Sequence, residues 1–153
     1  MGRSVDDVRR HLAADGVVVR ELPDDASTAQ LAAEALGTTV PTIVKSLLFL
    51  RGDEPLLVLV AGDRKLNARK LATELGGGKI RLARPDQVLE ITGYPVGGVP
   101  PVAHRTALQT LLDQHLLEHP VVYAAAGAHN AIFPIEPHRL KAMTGAALTE
   151  ATE

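Results

Sequence analysis

With 153 residues, the chain is long enough to bury about 70% of its unfolded surface, so no metal or disulfide staple is needed to hold a core. It has no cysteine, which excludes thiol nucleophiles and gives no sign of an oxidising compartment. A formal charge of −2 argues against a protein that coats nucleic acid non-specifically, though a few basic residues around one pocket would suffice to recognise a nucleic-acid end. The aromatic residues Phe49, Tyr94, Tyr123 and Phe133 are too few for a base-stacking platform, so aliphatic side chains must fill the core.

The opening "MGRSVDDVRR" has no apolar signal-peptide core, and no apolar run reaches the roughly 20 residues that span a bilayer. A soluble, cytoplasmic chain with no membrane partner is expected, organised as one domain over residues 1–153. Ser4 and Asp7 form an S-x-x-D capping signal, and Val8 and Leu12 lie four apart, which predicts a first helix ending near Gly16. "VVVREL" (17–22) reads as a strand. Ser27 and Gln30 form a second capping box before a helix that Gly37 would terminate.

"TIVKSLLFL" and "PLLVLVAG" are apolar strands separated by "RGDE", a hairpin signature. "NARKLATELGGG" reads as a helix capped by Asn67 and stopped by three glycines, followed by a short strand, "KIRLA". Pro85 and Asp86 suit a helix start. "RTALQTLLDQHLLEH" (105–119) has helical spacing, "VVYAAAGAHNAIFPIE" reads as two strands joined by "GAHN", and "PHRLKAMTG" predicts a last helix before a polar tail. The sum is an α+β fold with hairpin-linked strands. The lack of regular βαβ alternation counts against a doubly wound sheet.

Three stretches break this pattern. Lys45 sits inside an apolar strand, sharing one face with Ile43, Leu47 and Phe49 while Val44, Ser46, Leu48 and Leu50 take the other. A lysine stem can snorkel along apolar surface, but a position well inside the run makes that harder. "GYPVGGVPP" (93–101) combines Gly97 and Gly98, which permit close backbone approach, with Pro95, Pro100 and Pro101, which stiffen the loop. Such a loop serves as a tight connection or presents bare N–H groups to an anion or carbonyl oxygen. "GAHN" (127–130) is an ordinary turn that also places His129 near strand ends, where it could donate a hydrogen bond or titrate near neutrality.

Other chemistries find little support. His115 and His119 would share a helical face, as zinc pairs do, but no third ligand stands at a recognisable spacing. His11, His104 and His138 have no partner pattern. Ser4 and Ser27 read as helix caps, and Ser46 lies in a strand without a nucleophile elbow. No phosphate-binding glycine fingerprint is present.

Taken in order, the strand lysine, the GGxxP loop and the G-x-H turn resemble the YbaK/ProX family of aminoacyl-tRNA deacylases, free-standing relatives of the prolyl-tRNA synthetase editing domain. The resemblance runs from "STAQLAAEALG" through "GAHNAIFPIEPHRL". It implies a mixed, largely antiparallel sheet curled into a partial barrel and flanked by helices. It also implies a metal-independent hydrolase, needing no cofactor, that clears a mischarged aminoacyl-tRNA, tRNA(Pro) with a small amino acid, with an aminoacyl-tRNA synthetase as a further partner.

By the same resemblance Lys45 helps hold the terminal adenosine and the ester, Gly97, Gly98 and Pro100 form the loop at the scissile carbonyl, and Gly127 and His129 border the aminoacyl pocket. Thr42, Ile43, Val44, Gly62 and Asp63 are added as pocket neighbours. No carboxylate is an obvious general base, so the substrate's ribose hydroxyl is expected to assist the attacking water. The alternative is a non-catalytic module of the same fold that binds tRNA ends or another protein.

Overall fold

A computed structural model describes residues 2–153. Helix α1 (Val5–Ala13) begins where the Ser4 N–H donates to the Asp7 carboxylate at 2.8 Å, and it buries Val8 and Leu12. It stops at Ala13, short of the expected Gly16. Strand β1 is only Arg20–Glu21, although Val17, Val19 and Leu22 are buried around it. Helix α2 (Ala29–Leu36) is capped by Thr28, whose hydroxyl accepts from the Leu31 N–H, so the cap lies one residue beyond the expected Ser27. Gly37 closes it in the left-handed conformation, as its sequence position suggested.

A 3-10 turn (Val40–Thr42) feeds β2 (Ile43–Arg51), which pairs antiparallel with β3 (Glu54–Ala61). Helix α3 (Ala68–Glu74) is capped by Asn67, whose side chain accepts from the Arg69 and Lys70 N–H groups. Strand β4 (Ile80–Leu82) and helix α4 (Pro85–Thr92) follow.

Residues 105–119 do not form the expected helix. They contain β5 (Gln109–Asp113) and a 3-10 helix (Gln114–Glu118). The spacing of leucines imitates a helical stripe, but β5 lies parallel to β3, with Leu112 packed in the main core and Leu111 in a second cluster across the sheet. Adjacent residues serve opposite faces only in a strand. His115 and His119 consequently share no α-helical face; His115 Nδ1 bonds Asp113 Oδ1 at 2.7 Å.

Strands β6 (Val122–Ala125) and β7 (Ala131–Ile135) pair antiparallel, and α5 (Pro137–Thr144) follows and contacts the 3-10 helix at Gln114–Glu118. The polar tail is not a free end: Ala147–Thr149 form β8 beside β5. The sheet order is β1-β7-β6-β2-β3-β5-β8, with β4 attached to β2. The sheet is mixed and open, with parallel contacts at β2/β6, β3/β5 and β5/β8. Leu57, Leu59 and Leu112 are fully buried at its centre, each contributing about 2 kcal/mol of transfer free energy. Among the described residues no helix is long and apolar enough to cross a membrane.

Candidate active site

Strand β2 has β3 along one edge for almost its full length, but two different partners share the other edge. Strand β6 pairs at Ile43 and Val44, β4 pairs at Phe49–Arg51, and the Ala83 N–H bonds the Leu48 carbonyl. No strand among the described residues faces Lys45, Ser46 and Leu47 there. A cavity of about 380 Å³ opens at this gap.

Every residue from Ile43 to Leu48 lines it. A pocket on one face of a sheet would touch alternate residues, but one at a strand's edge is bordered by both faces. Period-two reasoning therefore could not separate pocket residues from core residues here. The walls come from the start of α2 (Ser27, Ala29), the β4–α4 corner (Ala83, Val88) and the proline–glycine loop (Val96, Gly97).

Lys45 is half-buried, and its ammonium donates to the Arg64 carbonyl at 2.5 Å. Burial pushes its pKa below the ordinary lysine value, while the charges of Asp63 and Asp113 push back. The Arg64 carbonyl is held in turn. Its own N–H bonds the Ala61 carbonyl, and the Ala61 N–H donates to Asp113 Oδ2 at 3.0 Å. Asp113 is fully buried, and its other oxygen accepts from both the N–H and Nδ1 of His115. A carboxylate on β5 thus fixes the turn on which the lysine rests.

The loop at 93–101 is pinned from both ends. Buried Tyr94 donates its hydroxyl to the Ala103 carbonyl at 2.8 Å, and His104 Nε2 donates to the Pro100 carbonyl at 2.6 Å. Gly97 has φ +88 and a Cβ there would lie 3.0 Å from the Ser27 side chain, so the loop can approach α2 only with glycine. The Gly98 N–H is used internally by the Pro95 carbonyl, and the Gly98 carbonyl accepts from Gly127 N–H.

The predicted residues therefore divide. Ile43, Val44, Lys45 and Gly97 line one cavity. Thr42 is buried beside it and hydrogen-bonds the Thr39 carbonyl. Asp63 is exposed at the turn near Lys45, and Gly62 packs against the Val40 carbonyl. Gly98, Pro100 and Gly127 brace the loop rather than line the cavity. His129 is exposed, and its carbonyl accepts from the Ala26 N–H, steadying the approach to α2.

Sequence reasoning missed the Arg64 carbonyl, Asp113 and the lining role of Ser46. The first is a backbone atom with no sequence signal, and the second was hidden by the helical reading of its segment. Among the described residues, no three His, Cys, Asp or Glu side chains gather as a metal site.

Lys45 and Gly97 line one largely apolar cavity, and residues 23–143 match the model of the aminoacyl-tRNA editing domain. The chain belongs to this family. This editing domain is similar to an uncharacterised Bacillus subtilis protein, YwhH, at 34% identity over 80% of the chain and 78% of the relative.

It is also similar to the proline–tRNA ligase of Halalkalibacterium halodurans, at 46% identity over 54% of this chain but only 15% of that enzyme. Among solved structures, a candidate trans-editing enzyme for prolyl tRNA synthetase superposes with a TM-score of 0.92 at 40% identity, covering 100% of this chain and 99% of that one. A hypothetical protein of 35% identity superposes with a TM-score of 0.88 over 96% of this chain and 99% of that one.

Proposed function

We propose that this editing domain hydrolyses the ester of a mischarged aminoacyl-tRNA in trans, acting on tRNA(Pro) that carries a small amino acid. The observation that carries the reading is that half-buried Lys45 and the Gly97 loop line the same largely apolar cavity. The cavity has room for a small side chain, and the lysine supplies fixed positive charge for an ester or phosphate oxygen at the acceptor end. Similarity to proline–tRNA ligases and to the candidate trans-editing enzyme supports the choice of tRNA.

In the reaction, water adds to the ester carbonyl, the oxyanion collapses, and the C–O bond to the ribose breaks to release the amino acid and a free tRNA end. Lys45 and the Gly97 N–H are the stabilising donors for the developing oxyanion. Gly98 contributes through its carbonyl's hold on Gly127, because its own N–H is engaged. The vicinal ribose hydroxyl assists the water and takes part in protonating the departing oxygen. No metal is required by these steps. Pro100, Gly127 and His129 act by keeping the loop and the α2 approach in place, while Thr42, Ile43, Val44, Gly62 and Asp63 shape the surroundings of the lysine.

The test is release of amino acid from tRNA(Pro) charged separately with alanine, serine, cysteine and proline. Rapid release of a mischarged species is expected, with Lys45→Ala lowering kcat/KM by about 10²–10³-fold, the range for losing one oxyanion donor. Binding of tRNA without release from any species would instead assign a non-catalytic module.

A further inference from the structure

Ser46 lines the cavity, and its Oγ is buried without a hydrogen-bond partner among the described residues. The surroundings on its face of β2 are apolar: Val44, Leu48, Ala83, Val88 and Val99 all border the same cavity. A buried hydroxyl with no partner destabilises a fold, and folded proteins rarely keep one without a use for it. Of the other hydroxyl-bearing residues that line the cavity, Thr28 caps α2 and Ser27 interacts with Asp25, while Tyr123, on β6, is partly exposed where the Ser46 Oγ is not.

The backbone of Ser46 is placed alongside. The Leu48 carbonyl points away from β3 toward Ala83, so Ser46, two residues earlier, presents its N–H and carbonyl to the same edge, where no strand pairs. Ser46 thus brings a hydroxyl, an N–H and a carbonyl to the border of a largely apolar recess, one residue from Lys45.

Resting on the deacylase reading, we propose that Ser46 sets substrate choice: its hydroxyl, enclosed in the rotamer seen here, turns about χ1 toward the cavity and pairs with a hydrogen-bonding group on the aminoacyl side chain, favouring the hydroxymethyl of a seryl ester over the methyl of an alanyl ester. A purely apolar recess separates side chains of this size poorly, whereas a site built to hydrogen-bond a hydroxyl discriminates strongly against an analogue that lacks it, because its own polar group is then left unpaired. The same hydroxyl lowers the affinity for alanyl esters, which would bury it unsatisfied.

The experiment compares seryl- and alanyl-tRNA(Pro) as substrates of the intact protein, Ser46→Ala and Ser46→Thr. The wild type is expected to hydrolyse the seryl ester with at least tenfold higher kcat/KM. Ser46→Ala is expected to reduce that seryl-to-alanyl ratio by at least tenfold, and Ser46→Thr to retain most of it. Thermal unfolding supplies a second readout: Ser46→Ala should be as stable as wild type or more so, since it deletes an unpartnered polar atom.

An alanyl preference in the wild type, equal losses on both esters, or a marked fall in the unfolding midpoint of Ser46→Ala would each overturn the assignment while leaving the deacylase reading standing. Failure to release any amino acid would remove both.

Discussion

Burial pushes the Lys45 ammonium toward its neutral form while Asp63 and Asp113 oppose that shift, and the balance leaves its pKa below the ordinary lysine value. Between the lowered folded value and the ordinary one, the unfolded chain binds more protons, so stability rises with pH across that window. Below it the penalty for holding the charge is fully present. Lys45→Met, which keeps the length of the stem, is therefore expected to raise the unfolding midpoint at neutral pH by on the order of 2 °C while lowering deacylation as far as Lys45→Ala does.

In the wild type, enzyme-dependent release should decline as pH rises through the lowered lysine value, once spontaneous ester hydrolysis is subtracted. Gly62 makes a sharper steric point. A Cβ there would stand 2.3 Å from the Val40 carbonyl, so Gly62→Ala must displace backbone and should cost about 2 kcal/mol, read from denaturant unfolding.

At the scale of elements, the loop between α4 and β5 owes its shape to His104, for which the sequence showed no partner. Burial lowers its pKa, the bond to the Pro100 carbonyl opposes the shift, and His11 and Arg3 add repulsion. The unfolded chain then takes up the proton first as pH falls below the ordinary histidine value, so stability drops from about pH 7 toward pH 5. Thermal unfolding of His104→Gln should show a weaker acid-side loss, and its deacylation at neutral pH should be about tenfold lower because the Gly97 wall loses an anchor.

Local signals at helix ends survived folding well. Asn67 starts a helix and Gly37 ends one in the manner their residue types dictate. The segment at 105–119 failed because its leucine spacing satisfies a helix and a two-faced strand alike, and only parallel pairing with β3 decides between them. Lys45 was legible as a buried charge in a strand; the turn that receives it was not, because its acceptor is a main-chain carbonyl.

Across the whole molecule, the C-terminal segment reaches back to the site. β8 pairs with β5, the Asn67 N–H bonds the Ala151 carbonyl at 2.7 Å, and the Glu153 N–H bonds the Lys65 carbonyl at 2.8 Å. These contacts clamp the stretch that contains Arg64, the acceptor for Lys45. Removal of residues 147–153 is expected to lower the unfolding midpoint by about 5 °C or more and to weaken deacylation, although the tail lies over a hundred residues beyond Lys45 in sequence.

The gap along β2 also bears on how the protein behaves in a crowded solution. An unpaired strand edge invites another chain to add itself and start an aggregate. Here the free stretch is Lys45 to Leu47, about 10 Å at strand rise, closed at one end by β6 and at the other by β4. That length leaves room for a small molecule between the two stops, but none for a foreign strand to lie down.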